Sequence, residues 1–339
     1  MYYLSANPAN RTIGSSVRLI KMLASILAVV LTPAAYSFPI DKPALYEVNM
    51  KFDGFIPILG GQNGVVDVDL GVSALGLKND ADGHPQVATE LRAIKVKFNG
   101  ASMPLDINNA KTYFPKTTVS LTPQGRILKS DAPSMALPIR LPGLDIRRMP
   151  DVTFLPVEFP ADGVEVGKEW SYKKSFGDSD VTFNLKATSV NDDKVEMDVK
   201  MAQSYDTLED SALAIPSNPK DAVAKVHTDM TGEGKAVFDR KLGLIRSAVI
   251  DADAKSKSVN IESKASTDRE LKSHLSINLA SGGTIQAINN RPTDKIGQLK
   301  AQAAFYWEMA KIKAGPMLAS ARQFIERQLA FFQRLASDN

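Results

Sequence analysis

The sequence predicts an α+β protein, mostly antiparallel β, with two similar β-meander units and a C-terminal helical hairpin or kinked helix. Three observations predict it. Apolar and polar residues alternate with period two from residue 45 to about 280, the mark of strands with one buried and one wet face. A strand, glycine turn, strand ending occurs twice, as Val119-Ser120-Leu121-Thr122-Pro123-Gln124-Gly125-Arg126-Ile127-Leu128 and as Val237-Phe238-Asp239-Arg240-Lys241-Leu242-Gly243-Leu244-Ile245. From Thr293 the apolar spacing changes to three and four.

The elements follow in order. Residues 1–37 carry Arg11, Arg18 and Lys21, no acidic residue, the apolar run Leu23 to Leu31 and small residues at Ala35 and Ser37. This is the layout of a secretory signal, with cleavage expected before Phe38 and Met22 as an alternative start. The destination is then the periplasm or the extracellular space. The run is short for a membrane span, although an uncleaved anchor is the alternative.

The first β unit, residues 38–130, opens with Tyr46, Val48, Met50 and Phe52 alternating with Glu47, Asn49 and Lys51. Val66, Val68, Leu70 and Val72 alternate with Asp67 and Asp69, and Ile94, Val96 and Phe98 with Lys95 and Lys97. Asn63-Gly64, Asp82-Gly83 and Asn99-Gly100 supply hairpin turn residues. Residues 131–169 hold six prolines among apolar residues, from Pro133 to Pro160, and so read as a crossover that packs on the sheet rather than a central strand.

The second β unit, residues 170–285, begins with Trp170 and Tyr172 and continues with Val181, Phe183, Leu185 and Ala187, then Val195, Met197, Val199 and Met201. Residues 206–230, rich in Asp, Ser and Pro, read as a long loop with at most a short helix. Strands resume around Ala236, Leu244 to Ile250, Val259 to Ile261 and Leu275 to Leu279. In the last segment, residues 293–337, one helix from about 294 to 313 carries Ile296, Leu299, Ala303, Tyr306 and Ala310. After Gly315-Pro316 a second carries Leu318, Ala321, Ile325, Phe332 and Leu335.

Composition narrows the function. The chain holds 41 basic and 38 acidic residues, and without the three basic residues of the signal the charges balance. A neutral chain offers no general field for nucleic acid. With no cysteine there is no disulfide, thiolate nucleophile, cysteine metal cage or lipid-anchor cysteine. No cofactor is expected. Of the three histidines, His84, His227 and His274, none has a second at metal-ligand spacing. Asp80-Ala81-Asp82-Gly83 lacks the downstream Glu of a calcium loop. Asp67 and Asp69 lie on one strand face about 7 Å apart, and alternating acids on a wet face account for them.

The pivot Leu155-Pro156 to Pro160, Gly163-Val164, Val166-Gly167 and Trp170, with Gly234-Lys235-Ala236-Val237-Phe238-Asp239 and Gly243 downstream, resembles a pattern in bacterial exported β-rich proteins of unknown function. More distantly, the architecture is similar to that of the lipoprotein-localisation carriers, whose half-barrel holds acyl chains. The leading expectation is a non-enzymatic envelope protein that binds a lipid or other apolar ligand in a concave sheet. Phe183, Leu185, Met197, Val199 and Met201 are candidates for the groove, with Phe324, Ile325 and Phe332 as its lid; the competing expectation is that all eight are core. The alternative is a structural or assembly module that meets a protein partner or a membrane surface through residues 293–337. An exported hydrolase is the third reading, and it requires acidic residues converging in a cleft.

Overall fold

The two ends of the strand-rich region pair with each other. In the computed structural model, β1 (Ala44–Ile56) lies between β2 (Gln62–Leu77) and β12 (Ser266–Leu279), antiparallel to both. The structure describes residues 33–57, 61–103, 107, 110, 115–132, 157–176, 179–280, 296–297, 299–300 and 303–307. The remaining strands are β3 (Gln86–Phe98), β4 (Ala101–Ser102), β5 (Thr117–Leu121), β6 (Ile127–Ser130), β7 (Glu169–Phe176), β8 (Ser179–Val190), β9 (Lys194–Glu209), β10 (Ala224–Asp239) and β11 (Leu244–Asn260). Among the described residues they form one 12-stranded sheet in the order β6-β5-β3-β2-β1-β12-β11-β10-β9-β8-β7, with β4 on β3. Among the described residues every strand pairing is antiparallel, as the meander pattern requires.

One face of this sheet is apolar. Tyr46, Val48, Met50 and Phe52 of β1 oppose Val72, Leu70, Val68 and Val66 of β2. On its other side, Tyr46, Val48 and Met50 oppose Leu279, Ile277 and Leu275 of β12. These residues join one core with the inward residues of β3 and β8–β11. The outer face carries charge in register: Asp67 lies opposite Lys51 and Lys97, and Asp69 opposite Asn49 and Lys95. Such cross-strand pairs each contribute about 0.2–1 kcal/mol and fix which face is wet.

The sheet is rolled, and a seam around residues 34–38 closes it. Tyr36 N–H donates to Pro123 O in the β5–β6 turn at 2.7 Å, and Ser37 N–H to Gly243 O in the β10–β11 turn at 2.9 Å. In the sheet those hairpins are separated by β3, β2, β1 and β12, so only curvature brings them to one short segment. The two turns are the matching endings of the sequence. Gly125 has φ +96°, and a Cβ there would lie 2.3 Å from the Tyr36 ring; at Gly243, φ is +67° and a Cβ would lie 2.6 Å from Ser37 Cβ. Tyr36 is 6% exposed, its hydroxyl donates to Val157 O at 2.8 Å, and its ring meets Phe159 and Phe238 at 5.9 and 5.2 Å.

Several expectations change. Residues 206–230 are a shorter loop than expected: β9 runs to Glu209 and β10 starts at Ala224, leaving 210–223 as a loop with a 3-10 turn at Pro219–Asp221. The exposed Lys225, His227 and Asp229 make this region look polar, while Val226, Thr228 and Met230 alternate inward. Asn63-Gly64 is not a turn but lies within β2, where Gly64 pairs with Gly54. Asn99-Gly100 does turn, with φ of 45° and 81°. Of the crossover, Val157, Phe159 and Val164 are buried and 133–156 lie outside the described residues. Residues 296–297, 299–300 and 303–307 are helical. Their expected apolar stripe faces solvent, with Ile296, Leu299 and Tyr306 all exposed, because Phe305 makes the core contact, 6.2 Å from the Phe98 ring. The second C-terminal helix lies outside the described residues.

Candidate functional site

The five strand residues expected to line a groove do share a surface. Phe183 of β8 opposes Met201 of β9, Leu185 opposes Val199, and Ala187 opposes Met197. All five are buried within the common core, with Met201 the most accessible at 9%. Phe324, Ile325 and Phe332 lie outside the described residues. Beyond Met201 the inward phase of β9 turns polar, through Gln203, Tyr205 and Thr207 to Glu209. The neighbouring strands change with it, to Thr228 in β10, Ser256 and Ser258 in β11 and Arg269 in β12.

A cavity of about 50 Å³ opens at this polar end. Its apolar wall includes Phe55, Leu213, Ile215, Val226 and Leu271, and its polar wall Thr207, Glu209, Thr228, Ser256 and Arg269. Gly54 places Phe55 there. Strict alternation from the inward Phe52 would put Phe55 on the outer face beside Asp53, but next to Gly54, with φ of +137°, Phe55 lines the cavity while Ile56 keeps its place in the core. No Cβ fits at Gly54 either, because it would lie 2.3 Å from Glu270 O. Asp210 shapes the loop after β9: its Oδ1 accepts from the N–H groups of Ala212 and Ala214 at 2.8 and 3.1 Å. Leu213 thereby takes φ +60° and reaches toward Gly61 after β1. Ile215, partly exposed, stands at the rim.

The polar wall is organised by Arg269. Its Nη1 donates to both carboxylate oxygens of Glu209 at 2.8 Å, Nη2 donates to Ser258 Oγ at 3.1 Å, and the guanidinium lies 4.3 Å from the Phe55 ring centroid. The side chains are only 11% and 8% exposed, so the pair lies across the inner face over β10 and β11. Burial pushes the Glu209 carboxyl above its ordinary range, and Arg269 opposes that rise. The Thr228 and Ser256 hydroxyls bond each other at 2.8 Å. Among the described residues of this wall, Arg269 Nε and Thr207 Oγ1 are buried without a hydrogen-bond partner in the protein.

Sequence reasoning missed this site, although a signal for it exists. Arg269 falls in phase with Leu271, Leu275 and Ile277, and Glu209 in phase with Met201 and Tyr205; a charge on the inward phase of a strand marks a buried pair. The other candidate groups sit elsewhere. Asp80, Asp82 and His84 converge in an exposed turn, where Asp80 Oδ1 accepts from the backbone of Asp82 and His84 at 3.0 and 2.8 Å. His227 meets Asp206 and Asp229 at 2.9 and 3.3 Å and His274 meets Asp251 at 2.7 Å, all on the outer face.

Against known proteins, no family model and no curated protein matches the chain. A solved structure titled "Lipid-protein interactions in lipovitellin" is similar to it with a TM-score of 0.41 and 11% identity. That match covers 77% of this chain, which spans 28% of the other.

Proposed function

We propose that this is a non-enzymatic exported envelope protein that binds a lipid or other apolar ligand against the inner face of its rolled sheet. The observation that carries the reading is the polarity of that face. It is apolar across β1–β3 and β8–β12 and ends in an open cavity with apolar walls and unanswered polar atoms. A ligand with a greasy body and a small polar end matches that order, and the adjustable side chains of Met197 and Met201 suit an irregular chain. The test is native mass spectrometry of protein purified gently from its own envelope, before and after organic extraction. A stoichiometric apolar ligand that extraction removes supports the reading, and a clean apo mass refutes it. Met201→Asp adds a second check: retained folding with lost ligand supports a groove, and global unfolding assigns Met201 to core alone.

Export is part of the proposal, and the seam bears on where processing stops. Cleavage before Phe38 would remove Tyr36 from its aromatic cluster and Ser37 from its bond to Gly243. Burial of Ala34 and Tyr36 therefore supports a mature chain that begins at or before Ala34. An N-terminus at Phe38, read by sequencing the exported protein, would refute this.

A second reading, an assembly module, is favoured by the exposure of Ile296, Leu299, Tyr306 and Trp307, between 59% and 68%. Under it, deleting 293–339 leaves a soluble species of lower oligomeric mass by light scattering. An unchanged mass, or aggregation, counts against it.

A further inference from the structure

The electrostatics of the cavity specify the headgroup, on the footing that the lipid-binding reading holds. Arg269 is not a free cation: Glu209 answers its charge through both carboxylate oxygens, and both side chains are about nine-tenths buried. An entering carboxylate or phosphate would set a second negative charge near Glu209 in a poorly solvated place, where like charges repel strongly. An entering ammonium would meet Arg269. Among the described lining residues, the buried side-chain atoms without a protein partner are the N–H donor at Arg269 Nε and the hydroxyl of Thr207, which both donates and accepts. A neutral oxygen acceptor satisfies the first, and an ester carbonyl with an adjoining hydroxyl satisfies both. The cavity, about 50 Å³, holds a group of that size, while Val226, Leu213 and Ile215 offer apolar surface to the chain attached to it.

We infer that the cavity at the Glu209–Arg269 end binds the uncharged acyl-ester terminus of a glyceride-like lipid, in preference to a fatty acid or a phospholipid of the same chain. Arg269 Nε–H donates to the ester carbonyl, and Thr207 bonds the neighbouring oxygen. The ligand thereby supplies two hydrogen bonds that the fold leaves unmade, and a buried group left without one is costly.

Three probes sharing one oleoyl chain test this by calorimetric titration of the full chain at neutral pH: 1-monooleoylglycerol, oleate and oleoyl lysophosphatidate. Monooleoylglycerol should bind about tenfold or more tightly than either anion. Thr207→Val, which keeps the shape and β-branching, should weaken monooleoylglycerol about tenfold and leave oleate unchanged, while Thr207→Ser retains the affinity. Oleate or lysophosphatidate binding as tightly as the glyceride overturns the inference, as does a Thr207→Val protein that binds monooleoylglycerol like wild type. In either case apolar binding itself survives. If none of the three binds, the lipid-binding reading falls as well.

Discussion

Replacing Arg269 by Met removes one partner of a buried ion pair and leaves the carboxylate of Glu209 uncompensated at 8% exposure. Breaking such a pair costs about 3–5 kcal/mol, because the remaining charge has lost its solvation and has no counter-ion. Loss of the guanidinium from the Phe55 ring adds about 0.5–1 kcal/mol, part of which the thioether recovers. The deficit must also depend on pH. In the folded wild type the Glu209 carboxyl titrates above its ordinary 4.5, because burial outweighs the opposing pull of Arg269; without Arg269 it rises further. Between 4.5 and that raised value the folded state holds a proton that the unfolded state has lost, so stability falls as pH rises. The slope is about 1.4 kcal/mol per pH unit. Urea unfolding followed by tryptophan fluorescence at pH 5, 6 and 7 should show Arg269→Met weakest at pH 7 and closest to wild type at pH 5. A deficit below about 1 kcal/mol, or one unchanged across that range, refutes the reasoning and puts the pair among solvent-screened surface bridges.

Three further outcomes are expected. Gly234→Ala puts a Cβ 2.0 Å from Val249 O and 2.7 Å from Ile250 Cα, so it should cost about 2 kcal/mol or more in thermal unfolding; an open-space control at Gly83 should pay only about 1 kcal/mol for its φ of +83°. A chain starting at Phe38 should be less stable by about 3 kcal/mol than one starting at Pro33, from loss of the buried Tyr36 ring and its hydroxyl bond to Val157, and equal denaturation midpoints would contradict the seam. His227 should titrate above 6.5 by NMR, chiefly through its hydrogen bond to Asp206, and Asp206→Asn should bring the midpoint down. The stabilisation it contributes is present below pH 6.5 and lost as pH rises through the folded value.

Alternation made most of the strands legible in the sequence, because a half-buried strand must repeat at two. It made β1, β2, β3, β8 and the first half of β9 plain. It failed where the inward residues themselves become polar. From Gln203 to Glu209 and from Ala224 to Thr228 the buried phase reads Gln, Tyr, Thr, Glu and then Ala, Val, Thr, so its apolar signal is too weak to set it apart from the wet phase. That failure and the missed site are one fact. The cavity lies where the inner face stops being greasy, and an apolar pattern is blind there. The seam was half legible: the two matching turns were visible, but nothing local in either states that both glycines press on residues 36 and 37.

The Glu209–Arg269 pair is an expensive way to hold a sheet together. A buried ion pair replaced as a unit by apolar side chains of similar volume often leaves a protein as stable or more so. The double variant Glu209→Leu with Arg269→Met should therefore recover most of the stability that Arg269→Met alone loses, and the wall would close with the same apolar logic as the Phe183–Met201 region. What such a wall would lack is the buried, unpartnered Arg269 Nε of β12, while Thr207 Oγ1 remained. Stability and ligand recognition are then separable in one protein. A double variant that folds like wild type and no longer distinguishes monooleoylglycerol from oleate would show that the pair is there for the ligand. One that folds and still prefers the glyceride would return Arg269 to a purely structural role.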